Sequence, residues 1–163
     1  MEVSMRSLSW FLAVLSFAAI VEAADFTTGL AAYNKGDYTT AANEWRPLAD
    51  QGVAAAQFNL GLLYYDGHGV PLDFAQAAEW FTKAAEQDYG KAQYDLGAMY
   101  GVGKGVKRDY IQAYKWLNLC AAKGDDRCAE QRDLVAKKLK AAQLTTAQRL
   151  SSEFTPQKAG EKH

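Results

Sequence analysis

The stretch GHGVPLDFAQAAEW, Gly67 to Trp80, decides the fold, because it returns 36 residues later as GKGVKRDYIQAYKW, Gly103 to Trp116. Taken alone, two glycines around a histidine suggest a phosphate cradle or a metal site. The second copy removes both readings. A phosphate-binding glycine loop follows a strand and aims a helix N-terminus at the anion, whereas the residues before Gly67 carry helical periodicity. His68 becomes Lys104 in the second copy, and the only other histidine is His163. The glycines therefore read as architecture and His68 as a loop side chain. No metal and no cofactor is expected.

Laying Ala56–Asp88 over Ala92–Gly124 without gaps extends the match. Ala56, Gln57, Leu60, Gly61 and Tyr64 recur as Ala92, Gln93, Leu96, Gly97 and Tyr100. Asp73, Gln76, Ala77 and Trp80 recur as Asp109, Gln112, Ala113 and Trp116. Self-similarity at this period marks a stack of supersecondary units. Ala56, Leu60 and Tyr64 share one face of a first helix. Gly61 and Gly97 fall mid-helix, where glycine costs about 1 kcal/mol against alanine, so a partner helix should approach closely there. Gly67 and Gly69 end that helix, because glycine accepts positive φ. Asp73 and Asp109 fit the N-cap of a second helix, with Gln76 and Gln112 placed as a capping box requires. A degenerate unit, NKGDYTTAANEW (Asn34–Trp45), comes before the two copies. A divergent pair, roughly Cys128–Lys140 and Gln143–Glu153, follows them with Arg132 and Asp133 where leucine and glycine would stand. A terminal unit whose outer face meets water should look this way.

These residues resemble the Sel-one-like repeat (SLR), a relative of the tetratricopeptide repeat. Its pattern, A-x-x-x-L-G-x-x-Y-x-x-G-x-G-V-x-x-D-[YF]-x-x-A-x-x-W-[YF]-x-x-A-A, is met by Ala56–Ala85 and nearly by Ala92–Ala121. The resemblance implies an all-α fold, a right-handed α-solenoid of antiparallel helix pairs. It also implies a non-enzymatic protein–protein interaction adaptor that holds another protein or peptide in a concave groove. The expected organisation is a signal peptide over 1–23 and one solenoid domain over 24–154. Its units run about 26–52, 53–88 and 89–124, with a capping pair over 125–154 and a flexible tail over 155–163.

Leu8 to Val21 is an uncharged apolar run, too short to span a bilayer comfortably. Val21 and Ala23 occupy the small-residue places of a signal-peptidase site, and no basic stop-transfer cluster follows. Translation from Met5 would give a cleaner start than Met1. Export to the periplasm or beyond is expected, with no stable membrane anchor after cleavage. Of the 19 acidic and 18 basic residues, Glu2, Glu22 and Arg6 precede Ala24, so the charges beyond it balance. Acidic residues prevail up to Gly103 and basic ones after it. The basic residues between Arg127 and Arg149 suit the solvated face of a cap, so no nucleic-acid partner is expected.

In repeat register Cys120 replaces Ala84, and Cys128 replaces Ala56 and Ala92. Small residues there should face each other where one unit meets the next, near enough for their Cβ atoms to bridge. With an even cysteine count in an exported chain, a Cys120–Cys128 disulfide is expected. The spacing C-x7-C also resembles cysteine-rich secreted members of the family.

No catalytic residues stand out. Gly-x-Ser-x-Gly, His-Glu-x-x-His and Walker motifs are absent from the sequence. Some cysteine-rich relatives suggest β-lactam binding or hydrolysis, but there is no Ser-x-x-Lys to supply a nucleophile. A second stripe on the first helix, Phe58, Leu62 and Tyr65, faces away from Leu60 and Tyr64. Tyr94 repeats the Phe58 position, and Asn34 is matched to Tyr65 in the first unit. By resemblance these five residues line the partner groove, suited to an extended peptide or a helix; alternatively they form inter-repeat core. An alternative ligand is an envelope glycan or a small molecule stacked on the tyrosines.

Overall fold

The computed structural model describes residues 26–157. The apolar run 8–21 and the cleavage site near Ala23 lie outside them. The described residues form eight helices and no strand: α1 over 26–34, α2 (Tyr38–Asp50), α3 (Ala54–Asp66), α4 (Phe74–Glu86), α5 (Gly90–Val102), α6 (Tyr110–Ala121), α7 (Asp126–Ala136) and α8 (Ala141–Ser152). Helices α3–α4 and α5–α6 pack as pairs, and α2–α3, α4–α5 and α6–α7 join one pair to the next. The result is a helical-repeat solenoid.

Each pair closes over a glycine. A Cβ added at Gly61 would lie 2.7 Å from the Phe81 ring, and one at Gly97 would lie 2.7 Å from Leu117 Cγ. In α1 the same contact is Gly29 against Trp45. Trp45, Phe81 and Leu117 are each fully buried, and that burial offsets the helix cost of the glycines. The contact also fixes the register of the first unit. Gly29 aligns with Gly61, so Tyr33 rather than Asn34 takes the place of Tyr65. Tyr33 meets Tyr38 edge-on at 5.2 Å, just as Tyr65 meets Phe74 at 5.3 Å. The shorter α1–α2 turn hid this offset, and one residue rotates a helical side chain by about 100°.

Successive units are tied by three recurring devices. Gln57 Nε2 donates to the Ala49 carbonyl at 3.0 Å, and Gln93 Nε2 donates to that of Ala85 at 3.2 Å. The second glycine of each loop rests on the preceding unit: a Cβ at Gly69 or Gly105 would collide with the carbonyl of Tyr38 or Phe74. Both glycines also hold φ near +70°, a region costly for other residues. The residue between the glycines clasps the same place. The His68 ring stacks on Tyr38 at 4.4 Å. Lys104 Nζ sits 4.0 Å from the Phe74 ring centre and donates to Tyr65 Oη at 3.0 Å. Two chemically different side chains do the same work, because each needs only a face to lay on an aromatic ring.

The second helices start at aspartates. Asp73 Oδ1 accepts from the Ala75 and Gln76 amides, and Asp109 Oδ1 accepts from those of Ile111 and Gln112. The reciprocal half of a capping box is missing. The Asp73 amide donates instead to the Tyr64 carbonyl at 2.9 Å, and the Asp109 amide to that of Tyr100 at 3.0 Å. The cap thereby pins each second helix to its first, and the Gln76 amide turns to Glu79.

The closing pair differs. Helix α7 starts and ends earlier than its apolar pattern suggested, and it buries Cys128 alone. Cys128 is bonded to Cys120 of α6, with the Cα atoms 5.8 Å apart. Helix α8 packs on α6 through Ala147 and Ser151. Beyond it, Phe154 meets Trp116 edge-on and the Gln157 amide donates to the Glu86 carbonyl at 2.8 Å.

Candidate partner-binding groove

Helices α3, α5 and α7 are the first helices of successive units, and an open cleft separates each from the next. The α3/α5 cleft, about 330 Å³, has Leu62, Tyr65 and Asp66 on one wall and Asp95, Ala98 and Val102 on the other. Phe81 and Met99 floor it. The α5/α7 cleft, about 240 Å³, has Ala98, Gly101 and Val102 facing Gln131, Leu134 and Lys138. Leu117 and Val135 take the floor positions there. Every one of these residues in the second cleft stands 36 positions after its counterpart in the first. Leu62, Ala98 and Leu134 form one such series, and Asp66, Val102 and Lys138 another. The two clefts are thus one site built twice, sharing the ridge of Ala98 and Val102. Val102 is 71% exposed and Leu134 52% exposed, apolar surface beside the clefts that no contact within the described chain covers.

The charges differ between the copies. Burial pushes the Asp95 carboxyl up to about 6, against the pull of Arg127, with Asp66 adding to the rise. The Arg127 guanidinium lies 5.3 Å from the Tyr94 ring centre and is ion-paired with Asp125 at 2.8 Å. In the second cleft the Asp95 position is Gln131, and a lysine, Lys138, takes the place of Val102.

Of the five residues expected in a groove, the structure brings two together there, Leu62 and Tyr65. Phe58 is a core residue. It is 7% exposed, with its ring between Phe81 at 5.6 Å and Tyr89 at 5.3 Å. Its stripe turns toward the following unit, which buries it. Tyr94 is half-buried beneath Arg127 and lines neither cleft. Asn34 is exposed on α1, at the position equivalent to Asp66 once the register is corrected. Sequence reasoning missed Asp66, Asp95, Val102 and Leu134. The signal was present in the 36-residue series, which places an apolar or charged side chain at equivalent points of α3, α5 and α7.

Among the described residues, one cluster of potential metal ligands occurs, Cys120, Asp125 and Cys128. Its sulfurs are joined to each other, and a metal binds the thiolate, not the disulfide. No helix among the described residues is long and apolar enough to cross a membrane.

The Sel1 repeat model matches residues 54–89 and 90–125, the two units closed by Gly61 and Gly97. The crystal structure of c5321, a protective antigen of uropathogenic Escherichia coli with an SLR fold, is 37% identical with a TM-score of 0.77. The match covers 82% of this chain and 29% of that one. A Sel1 repeat protein from Oxalobacter formigenes is 35% identical with a TM-score of 0.65, over 69% of this chain and 48% of that one. The chain therefore spans less than half the length of either relative. Among curated proteins, none matches it.

Proposed function

On the premise that this chain is a Sel1-repeat protein, we propose that it is an exported adaptor that binds a segment of another protein in the groove across α3, α5 and α7. The Sel1-repeat fold is generally a non-catalytic protein–protein interaction scaffold, which supports the class of activity. The observation that carries the site is the repetition of one apolar cleft in register, with Val102 and Leu134 left exposed beside it. Two adjoining pockets on rigid helices suit successive side chains of one peptide. Export is supported by the Cys120–Cys128 bond, which forms and persists in oxidising compartments, and by the apolar leader pattern of residues 8–23.

The test is site-specific photo-crosslinking in intact cells. A photoreactive side chain at Ala98 should trap a defined protein, and Leu134→Asp in the same chain should abolish the product. The same probe at Glu79, exposed on the second helix α4, should trap none. Trapping at Glu79 that survives Leu134→Asp would move the binding face to the second helices and end the groove reading.

A further inference from the structure

The two clefts repeat in shape but not in charge, and their apolar floors hide a polarity. At the α3/α5 end two carboxylates converge, Asp66 on the wall of α3 and Asp95 on that of α5. At the α5/α7 end the only charged lining residue is Lys138. The other cations near the first cleft are already engaged. Arg127 is held by Asp125 and the Tyr94 ring, and Lys104 by the Tyr65 hydroxyl and the Tyr65 and Phe74 rings.

Resting on the groove reading above, we propose that the occupant is a peptide segment of a partner protein with opposite charges at its two ends. It carries a lysine or arginine for the Asp66–Asp95 end and an aspartate or glutamate for Lys138. Between them lie two apolar side chains, one per cleft. The clefts lie on either side of α5, and a helix with its side chains is about 10–12 Å across. Side chains of an extended chain share a face at every second residue, and four residues cover about 13 Å, so the apolar positions fall four apart.

The charge logic follows from burial. Asp95 is poorly solvated and faces Asp66, so its ionised form lacks a strong local partner apart from Arg127. An incoming ammonium or guanidinium supplies one and relieves the repulsion between the two carboxylates. An anionic side chain at the same place would face two negative groups. At the other end Lys138 is exposed and selects the opposite sign.

The experiment pans a random 12-residue phage-displayed library on the full chain, and in parallel on Lys138→Glu and Leu134→Asp, with circular dichroism confirming that each variant is folded. The wild-type chain should enrich peptides with two apolar positions four apart, a basic residue beyond one and an acidic residue beyond the other. Lys138→Glu should enrich peptides that are basic at both ends, and the wild-type peptides should bind it roughly five- to tenfold more weakly. Leu134→Asp should bind neither set. Peptides lost on Leu134→Asp but indifferent to Lys138→Glu would overturn the polarity while leaving the groove in place. Peptides indifferent to both variants would overturn the groove as well. A chain that enriches no peptide and sediments as a dimer, dissociated by Leu134→Asp, would give the groove to a second copy and overturn the proposal.

Discussion

In the two matched repeats each helix buries five or six residues, whereas α7 buries Cys128 alone and α8 buries Ala147 and Ser151. The repeats cohere through interlocking shapes. Phe81 lies against Gly61, Leu117 lies against Gly97, and each Gly-x-Gly loop rests on the preceding unit. The closing pair has Asp133 where that glycine would be, and among the described residues no later helix packs on it. Besides the packing of α7 and α8 on α6, it is joined to the repeats covalently, through Cys120 and Cys128. The opening unit, α1–α2, buries five residues of α2 and packs Trp45 on Gly29, whereas the closing pair, which buries three, carries a covalent tether as well.

The sharpest way to break this contrast is to remove apolar bulk from each region. Phe58→Ala should cost about 3–5 kcal/mol, as expected for emptying a buried aromatic site. Leu134→Ala, on the exposed face of α7, should change stability by no more than about 0.5 kcal/mol. Urea unfolding of both variants measures the difference, and a tolerated Phe58→Ala would return that ring to the groove.

Next comes Gly105→Ala, which places a Cβ against the Phe74 carbonyl at a φ of +70°. The collision and the strained backbone together should cost about 3 kcal/mol. The loss should appear as a lower thermal midpoint.

Reduction of the disulfide should act on one end only. Its ring is short, with a sequence separation of 8, and the chain-entropy model assigns it about 2–3 kcal/mol. Hydrogen exchange should show α7 and α8 losing protection in dithiothreitol while α3 to α6 keep theirs. Uniform loss across all helices would mean that the repeats depend on the cap.

The smallest effect concerns pH. Asp95 has its carboxyl raised to about 6 in the folded chain, above the ordinary value of about 3.9 that applies once the chain unfolds. The unfolded chain therefore ionises first as pH rises, so this group's contribution favours folding at pH 4 and is lost by about pH 6. Water at the cleft mouth leaves an effect on the order of 1 kcal/mol. Asp95→Asn should gain on the wild type in stability between pH 4 and 6, read from paired unfolding curves. Equal pH profiles would mean that Asp95 is as well solvated as a surface carboxylate.

The repeat, the helix pairs, the capping aspartates and the close approach at Gly61 and Gly97 were all legible in the sequence. Each rests on local chemistry: a cap needs a short acceptor beside free amides, and a mid-helix glycine signals a neighbour. The disposition of the second stripe was not legible. Phe58, Leu62 and Tyr65 lie along one side of α3, yet the next unit covers Phe58 and leaves the other two at a cleft. Helical periodicity gives an angle around one axis, while the offset between units decides which part of that angle stays open. The one-residue register of α1 was hidden for the same reason, because only the seating of Trp45 on Gly29 distinguishes Tyr33 from Asn34. The sequence by itself therefore determined what kind of solenoid this is. Tertiary packing decided which residues the groove presents, because exposure depends on neighbours from other units.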